Sequence, residues 1–246
     1  MDQDIRSELA KGYSRRKQTV DVVAIILFFA AELWLLWKLI PSIQVHPFAS
    51  IAGIITGYIG ADFISGVVHW LGDTWGSAKT PLVGRAFIRP FREHHVDEKA
   101  ITRHDFIETN GTNSLVTLII LIPTLFLLPP TLGTIWTVLG VGFFSLCLSL
   151  FGTNQFHKWA HAGDKTPSFV RSLQKMHLIL DPDHHRIHHT NPFDRYYCIT
   201  VGWMNPILSR IRFFRILERI IHTITGAQPR GEDLALVRLS KKHGTS

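Results

Sequence analysis

The chain has 246 residues, 46% of them hydrophobic and 18% charged, and its 26 Lys and Arg outnumber 19 Asp and Glu for a formal net charge of +7. Two cysteines, Cys147 and Cys198, are too few for a disulfide scaffold. The apolar residues gather into long runs with basic residues beside them, so the charge reads as a membrane signal and nucleic acid is excluded as its reason.

Asp2, Asp4 and Glu8 set the N-terminus apart from an acid-poor transit peptide, and Lys11, Arg15, Arg16 and Lys17 follow. Residues 20–40 form the first apolar run. Crossing a hydrocarbon core of about 30 Å takes roughly 20 helical residues, so this run spans a membrane. It is too long for a cleavable signal peptide, and no small-residue cleavage site follows it. Further spans are predicted at 48–71, 113–130 and 133–156, the third built on SLVTLIILIPTLFLL with a kink at Pro123. The loops PSIQVHP and PPTL hold no Lys or Arg, whereas the N-terminal flank, residues 72–112 and the chain after 156 are basic. The excess of positive charge on cytoplasmic loops therefore puts both termini and both polar segments in the cytoplasm. The glycosylation sequon Asn110-Gly111-Thr112 then faces the side that is not glycosylated.

The predicted fold is all-α: one polytopic membrane domain over 1–246, with about four transmembrane helices and a cytoplasmic histidine-rich helical cap from residues 72–112 and 157–205. Residues 206–226 repeat Ile207, Ile211, Phe214, Leu217, Ile221 and Ile224 at helical spacing, with Arg212, Arg215 and Arg219 elsewhere. This amphipathic helix either lies along lipid headgroups or packs on the cap. After Gln228 the chain is polar and expected to fray.

Eleven of the fourteen histidines fall between His69 and His189, all at or beyond the predicted cytoplasmic ends of the spans. His46, His222 and His243 stand apart and read as ordinary polar residues. His69 ends the second span, with Asp73 one turn beyond it. His94 and His95 follow in FREHHVDE, His104 in TRHDF, His157 and His161 in HKWAH, and His177 precedes the dense DPDHHRIHH with His184, His185, His188 and His189. Residues four apart on a helix have neighbouring side chains, so 157 with 161, 184 with 188, and 185 with 189 can each present two imidazoles to one ion. Three such pairs exceed the needs of one ion, which points to two.

Structural zinc favours cysteine ligands, a zinc protease needs a glutamate where Lys158 stands, and calcium and magnesium favour oxygen donors. Many imidazoles with one or two carboxylates suit iron best, while copper and nickel also accept imidazole. Asp62, inside the second span, shares a stripe with Gly66, His69 and Asp73. A carboxylate there faces protein or a water cavity. Asp62 or Asp73 is expected to hold the second ring nitrogen of His69 or to bind metal directly. Gly53, Gly57 and Gly60 read as close helix packing.

Three strings, ADFISGVVHWLGDTWG, FREHHVDEKAITRHDFIETNG and HLILDPDHHRIHHTNPFDRYYCITVGWMN, resemble the Kua/CarF lipid desaturase family, whose members include plasmanylethanolamine desaturases. The likeness runs from about residue 60 to 230, broken at the third and fourth spans. It implies a diiron enzyme that uses O2 and an electron donor to turn an alkyl ether phospholipid into a vinyl ether plasmalogen. It places His69, His94, His95, His104, His157, His161, His184, His185, His188 and His189 on the family's histidine motifs, Asp73 on its carboxylate and His177 on a further family histidine. It also implies a separate cytochrome b5-like or ferredoxin-like electron donor and an endoplasmic reticulum membrane, or an inner membrane in a bacterium. Arg85, Arg89, Arg92 or Arg186 would meet the lipid phosphate. The competing readings are an acyl desaturase acting on a phospholipid chain, as in a plastid branch of the family, and a membrane metal carrier or sensor.

Overall fold

The computed structural model describes residues 14–77, 79–81, 83–129 and 133–230. Lys11, the first acidic residues, the side chain of Arg85, residues 130–132 of the PPTL loop, His243 and the polar end beyond Arg230 lie outside the described residues. Four helices are long and apolar enough to cross a membrane: α1 (Arg15–Val45), α2 (Pro47–Thr74), α4 (Phe106–Leu127) and α5 (Thr134–His161). Between and after them come a π-turn (Gly84–Ile88), α3 (Arg89–Val96), α6 (Ser168–Lys175), α7 (Pro182–His188), α8 (Met204–Arg210) and α9 (Phe213–Thr225). The described residues form helices and turns, as an all-α chain requires.

The third and fourth spans overrun their predicted limits. Asp105 accepts the Glu108 amide at 2.8 Å and caps α4, which starts seven residues before 113 and carries Glu108, Thr109, Asn110 and Thr112 in its first two turns. Helix α5 meets no breaker until Gly163, which adopts φ +55°, and therefore carries His157 and His161 on its last turns.

The chain divides into two compact units, one formed by residues up to Asp62 with Thr102–Trp159, the other by Phe63–Ile101 with residues from Ala160 onward. The first holds most of the apolar helices. Phe28, Leu35, Leu39, Leu118, Leu121, Leu125, Cys147 and Phe151 form its core, with Phe28 stacked on Phe151 at 4.9 Å. Outward side chains such as Ile26, Leu33, Trp37, Ile119 and Leu127 remain exposed, as helices facing hydrocarbon must leave them. The glycines of α2 allow contact: a Cβ on Gly57 would overlap the carbonyl oxygen of Gly142 on α5, and Ser145 donates to the Ile54 carbonyl at 2.8 Å. Near the polar ends, Asn154 donates to Asn113 Oδ1, Asn113 donates to the Leu150 carbonyl, and Asn110 donates to Gln155. This amide ladder fixes the register of α5 against α4. It also leaves Asn110 fully buried, so the sequon is closed to modification in the folded chain.

The second unit is cored by Trp70, Tyr197, Cys198, Leu208 and Phe214. The helix predicted at 206–226 is two helices, because the chain turns at Arg212, which adopts φ +55°. Phe214, Leu217 and Ile221 pack on the core, while Ile207, Ile211, Ile216, Ile220 and Ile224 are exposed. The first face is that of a helix packed on its own unit, and the exposed isoleucines form the other. Cys147 and Cys198 are buried and form no disulfide.

Candidate metal centre

The site starts with two short helices and the end of a long one. On α7, Asp181 accepts the His184 amide at 3.0 Å and Pro182 occupies the first turn, so the helix begins where its capping signal stands. It carries His185 and His188 into the interior, with His189 at its C-terminal cap. Helix α3 brings His94 and His95. Adjacent residues on a helix point about 100° apart, so neighbours cannot face one ion together. Two of the double histidines use this divergence, His94 with His95 and His188 with His189, sending one ring of each pair to each of two groups.

One group comprises His69, Asp73, His95 and His188, whose ligand atoms lie within 4.8 Å of one another. The Nε2 atoms of His69, His95 and His188 approach a single oxygen, Asp73 Oδ2, at 3.3, 3.1 and 3.3 Å. Three ring nitrogens on one carboxylate oxygen exceed what that atom's lone pairs can serve in line. Neither Asp73 oxygen nor His188 Nε2, all buried, completes a hydrogen bond. Such an assembly of donors fits a cation at its centre. The second nitrogens are occupied behind it: His69 Nδ1 meets the Tyr197 carbonyl at 3.0 Å, and His188 Nδ1 meets that of Arg195 at 2.9 Å. A ring whose Nδ1–H donates to a carbonyl presents Nε2 as a lone pair, the tautomer a metal needs.

The other group is made of imidazoles alone. His94, His161, His185 and His189 bring their ring centroids to 4.5–4.8 Å along its edges, and the Nε2 atoms of His185 and His189 face each other at 3.0 Å. His157 is buried one turn before His161 on the same helix, α5. Burial first, and then the neighbouring imidazoles, push His94 and His189 well below the ordinary histidine range, so both rings stay neutral and able to bind a cation at physiological pH. The groups abut, with the His188 and His189 rings 5.3 Å apart and those of His95 and His189 5.2 Å apart.

Three histidines of the predicted set stand outside both groups. His104 is partly exposed, 3.7 Å from Glu108, and its carbonyl accepts from Lys158. His177 is exposed at φ +52°, its carbonyl accepting from Trp203 Nε1. His184 Nε2 faces Asn205 Nδ2 at 3.0 Å, and Asn205 in turn brackets the backbone N–H and C=O of Cys198. Asp62 is fully buried. The nitrogen of His69 expected to meet Asp62 or Asp73 meets Tyr197 instead, and Asp73 stands on the ligand side. Arg92 is not available to a headgroup, because it is buried and donates to the carbonyls of Gly72 and Gly76 at the end of α2. Arg186 is exposed and paired with Asp183 at 3.1 Å.

The sequence reading missed the groups behind the rings. Gly66 admits the loop that supplies the Tyr197 carbonyl: a Cβ there would lie 2.5 Å from Cys198 Sγ, and neighbouring Ser65 accepts the Ile199 amide at 3.0 Å. Glu98 lies 3.4 Å from His189 Nδ1. The position of Gly66 on the His69 stripe was the one available signal.

A model of the lipid desaturase domain matches residues 58–232. The chain is 49% identical to a plasmanylethanolamine desaturase of Myxococcus xanthus, over 92% of this chain and 79% of that protein. It is 46% identical to plasmanylethanolamine desaturase 1 of Mus musculus, over 92% of this chain and 85% of that one. Fatty acid desaturase 4, chloroplastic, of Arabidopsis thaliana is 38% identical over 71% of this chain and 52% of its own length. No solved structure matches the chain. With its apolar helices and its two histidine groups, the chain belongs to the lipid desaturase family and is a membrane oxidoreductase acting on lipid.

Proposed function

We propose that the chain introduces the vinyl ether double bond of a plasmalogen into an alkyl ether phospholipid, with two iron ions held by the two groups. The observation that carries this reading is the adjacency of two separate ligand sets, one with a carboxylate and one without, whose histidine rings share an edge. The names of the Myxococcus and mouse relatives support the ether substrate over an acyl chain, since both exceed the plastid relative in identity and coverage.

The reaction removes one hydrogen from each of two adjacent carbons beside the ether oxygen. Together with two electrons and two protons from a separate donor, they reduce O2 to two waters. The iron pair supplies the oxidant for an unactivated C–H bond. His69, Asp73, His95 and His188 hold one ion, and His94, His161, His185 and His189 the other, to which the H-x3-H spacing adds His157. Burial of His69, His185 and His188 keeps bulk water from the reacting centre. The donor is a cytochrome b5-like or ferredoxin-like partner, and both termini face the cytoplasm, at the endoplasmic reticulum or a bacterial inner membrane.

The test is to express the chain in cells lacking vinyl ether lipids and to feed an alkyl ether phospholipid. The expected product releases an aldehyde on mild acid treatment. Acyl-chain unsaturation without the acid-labile product would transfer the assignment to an acyl desaturase. Purified chain carrying zinc, or no metal, with no product, would favour a metal carrier.

A further inference from the structure

The segment after α9, expected to fray, returns to the metal centre. Gly226 ends α9 at φ +70°, and the chain then turns so that the Arg230 amide donates to the Thr74 carbonyl at 2.8 Å, at the last residue of α2. The Arg230 guanidinium donates to the Tyr197 hydroxyl at 3.0 Å through Nη1 and to Glu218 Oε2 at 2.7 Å through Nη2. Glu218 is buried and also accepts from Trp70 Nε1 at 3.2 Å and Arg215 Nη1 at 3.1 Å. Thr74 and Tyr197 each connect this fork to a ligand directly, and Glu218 connects it to another through Trp70. Trp70 follows His69, Thr74 follows Asp73, and Tyr197 offers the carbonyl that His69 Nδ1 meets.

We propose that Arg230 is a positioning residue for the group of His69, Asp73, His95 and His188, fastening the end of α2 to the loop whose carbonyls orient two of its rings. The inference rests on the metal reading above. Tyr197 is fully buried and its hydroxyl donates on to the Phe193 carbonyl, so Arg230 fixes the loop from 193 to 197 through one side chain. The all-imidazole group has no ligand adjacent in sequence to a partner of Arg230. Loss of the fork should therefore loosen one group and spare the other. Groups that orient ligands typically set metal affinity within about 10- to 100-fold.

The experiment titrates the full-length, detergent-purified chain with ferrous iron. It reads iron per chain, near-infrared circular dichroism of the ferrous sites, and helical content. For Arg230→Gln, one ion should bind about 10- to 100-fold more weakly, with its spectral bands shifted and those of the other ion and the helical content unchanged. Arg230→Lys keeps the charge opposite Glu218 but loses the fork, and should recover part of the affinity. Should Arg230→Gln fail to fold, Tyr197→Phe removes only the hydroxyl and should weaken the same ion by less. Variants that hold both ions at wild-type affinity, or weaken both equally with helical content unchanged, overturn the proposal. A wild-type chain that takes up no iron overturns the metal reading itself, and this inference with it.

Discussion

The two ligand groups differ in charge and in what stands behind their rings. The group around Asp73 includes a buried anion, and backbone carbonyls 2.9–3.0 Å away fix the tautomers of His188 and His69. The other offers neutral imidazoles, and the carboxylate beside it, Glu98, is half exposed. A dication in the first group meets partial neutralisation and a rigid shell. In the second it keeps its full charge among neutral rings. The paired ions should therefore differ in affinity and in ease of reduction, with the Asp73 group binding more tightly.

Removing the anion breaks this contrast most severely. Asp73→Asn keeps the shape but discards the charge on which three Nε2 atoms converge, and His188→Ala deletes a ring that lies 5.3 Å from His189 of the other group. Both should reduce product below detection, at least about 100-fold, while the protein remains in the membrane. Iron per chain should fall toward one in each. Product at wild-type level from His188→Ala would remove that residue from the ligands.

A softer break acts behind the rings. Any side chain at Gly66 meets Cys198 Sγ at 2.5 Å and pushes away the loop bearing the Tyr197 carbonyl. Gly66→Val should cost about 1–3 kcal/mol of stability through overpacking. It should also lower iron occupancy more than Gly57→Val, which disturbs helix packing in the other unit. Thermal melts with parallel metal analysis check this, and equal iron loss in the two variants would remove the special role of Gly66.

The all-imidazole group makes its own statement about pH. Folded His94 and His189 titrate well below the ordinary value, held there by burial and by one another's neighbours. The unfolded chain takes up protons near pH 6.5, about 1.4 kcal/mol per ring for each pH unit below that, and the folded chain does not. The metal-free protein should hold full stability above about pH 6.5 and lose it as pH falls from there toward 5. Melting temperature measured from pH 8 to 5 in chelator tests the direction. A flat profile would mean that these rings are protonated in the fold.

Much of this was legible in the sequence for one physical reason: period. Apolar runs of membrane length gave the four helices, and histidines four apart gave 157 with 161 and 185 with 189. What escaped depends on contacts between residues distant in the chain. The Tyr197 and Arg195 carbonyls leave no trace in a side-chain pattern, and Arg230 reads as one more basic residue in a polar tail. The break at Arg212 carries no glycine or proline to announce it. Spacing also pairs His184 with His188 on one face, yet His184 lies at the edge of that arc, where Asn205 engages it. The division of adjacent histidines between two groups follows from helix geometry alone, but only once α3 and α7 are known to be helices.

The smallest expected effect sharpens the line between ligands and bystanders. His177 stands in the family's string, but the fold uses its backbone, through the Trp203 bond to its carbonyl and a left-handed φ of 52°. Asparagine tolerates that conformation better than most residues and keeps the carbonyl, so His177→Asn isolates the imidazole from the turn. Product formation and iron content should stay within about twofold of wild type, since exposed substitutions away from buried networks usually change stability by at most about 0.5 kcal/mol. His177→Val, at the same φ, strains the turn and should lower stability while sparing iron content in the protein that folds. If the asparagine variant lost an ion, His177 would move toward the centre in a state of the enzyme other than this one, and the boundary drawn around the two groups would have to widen.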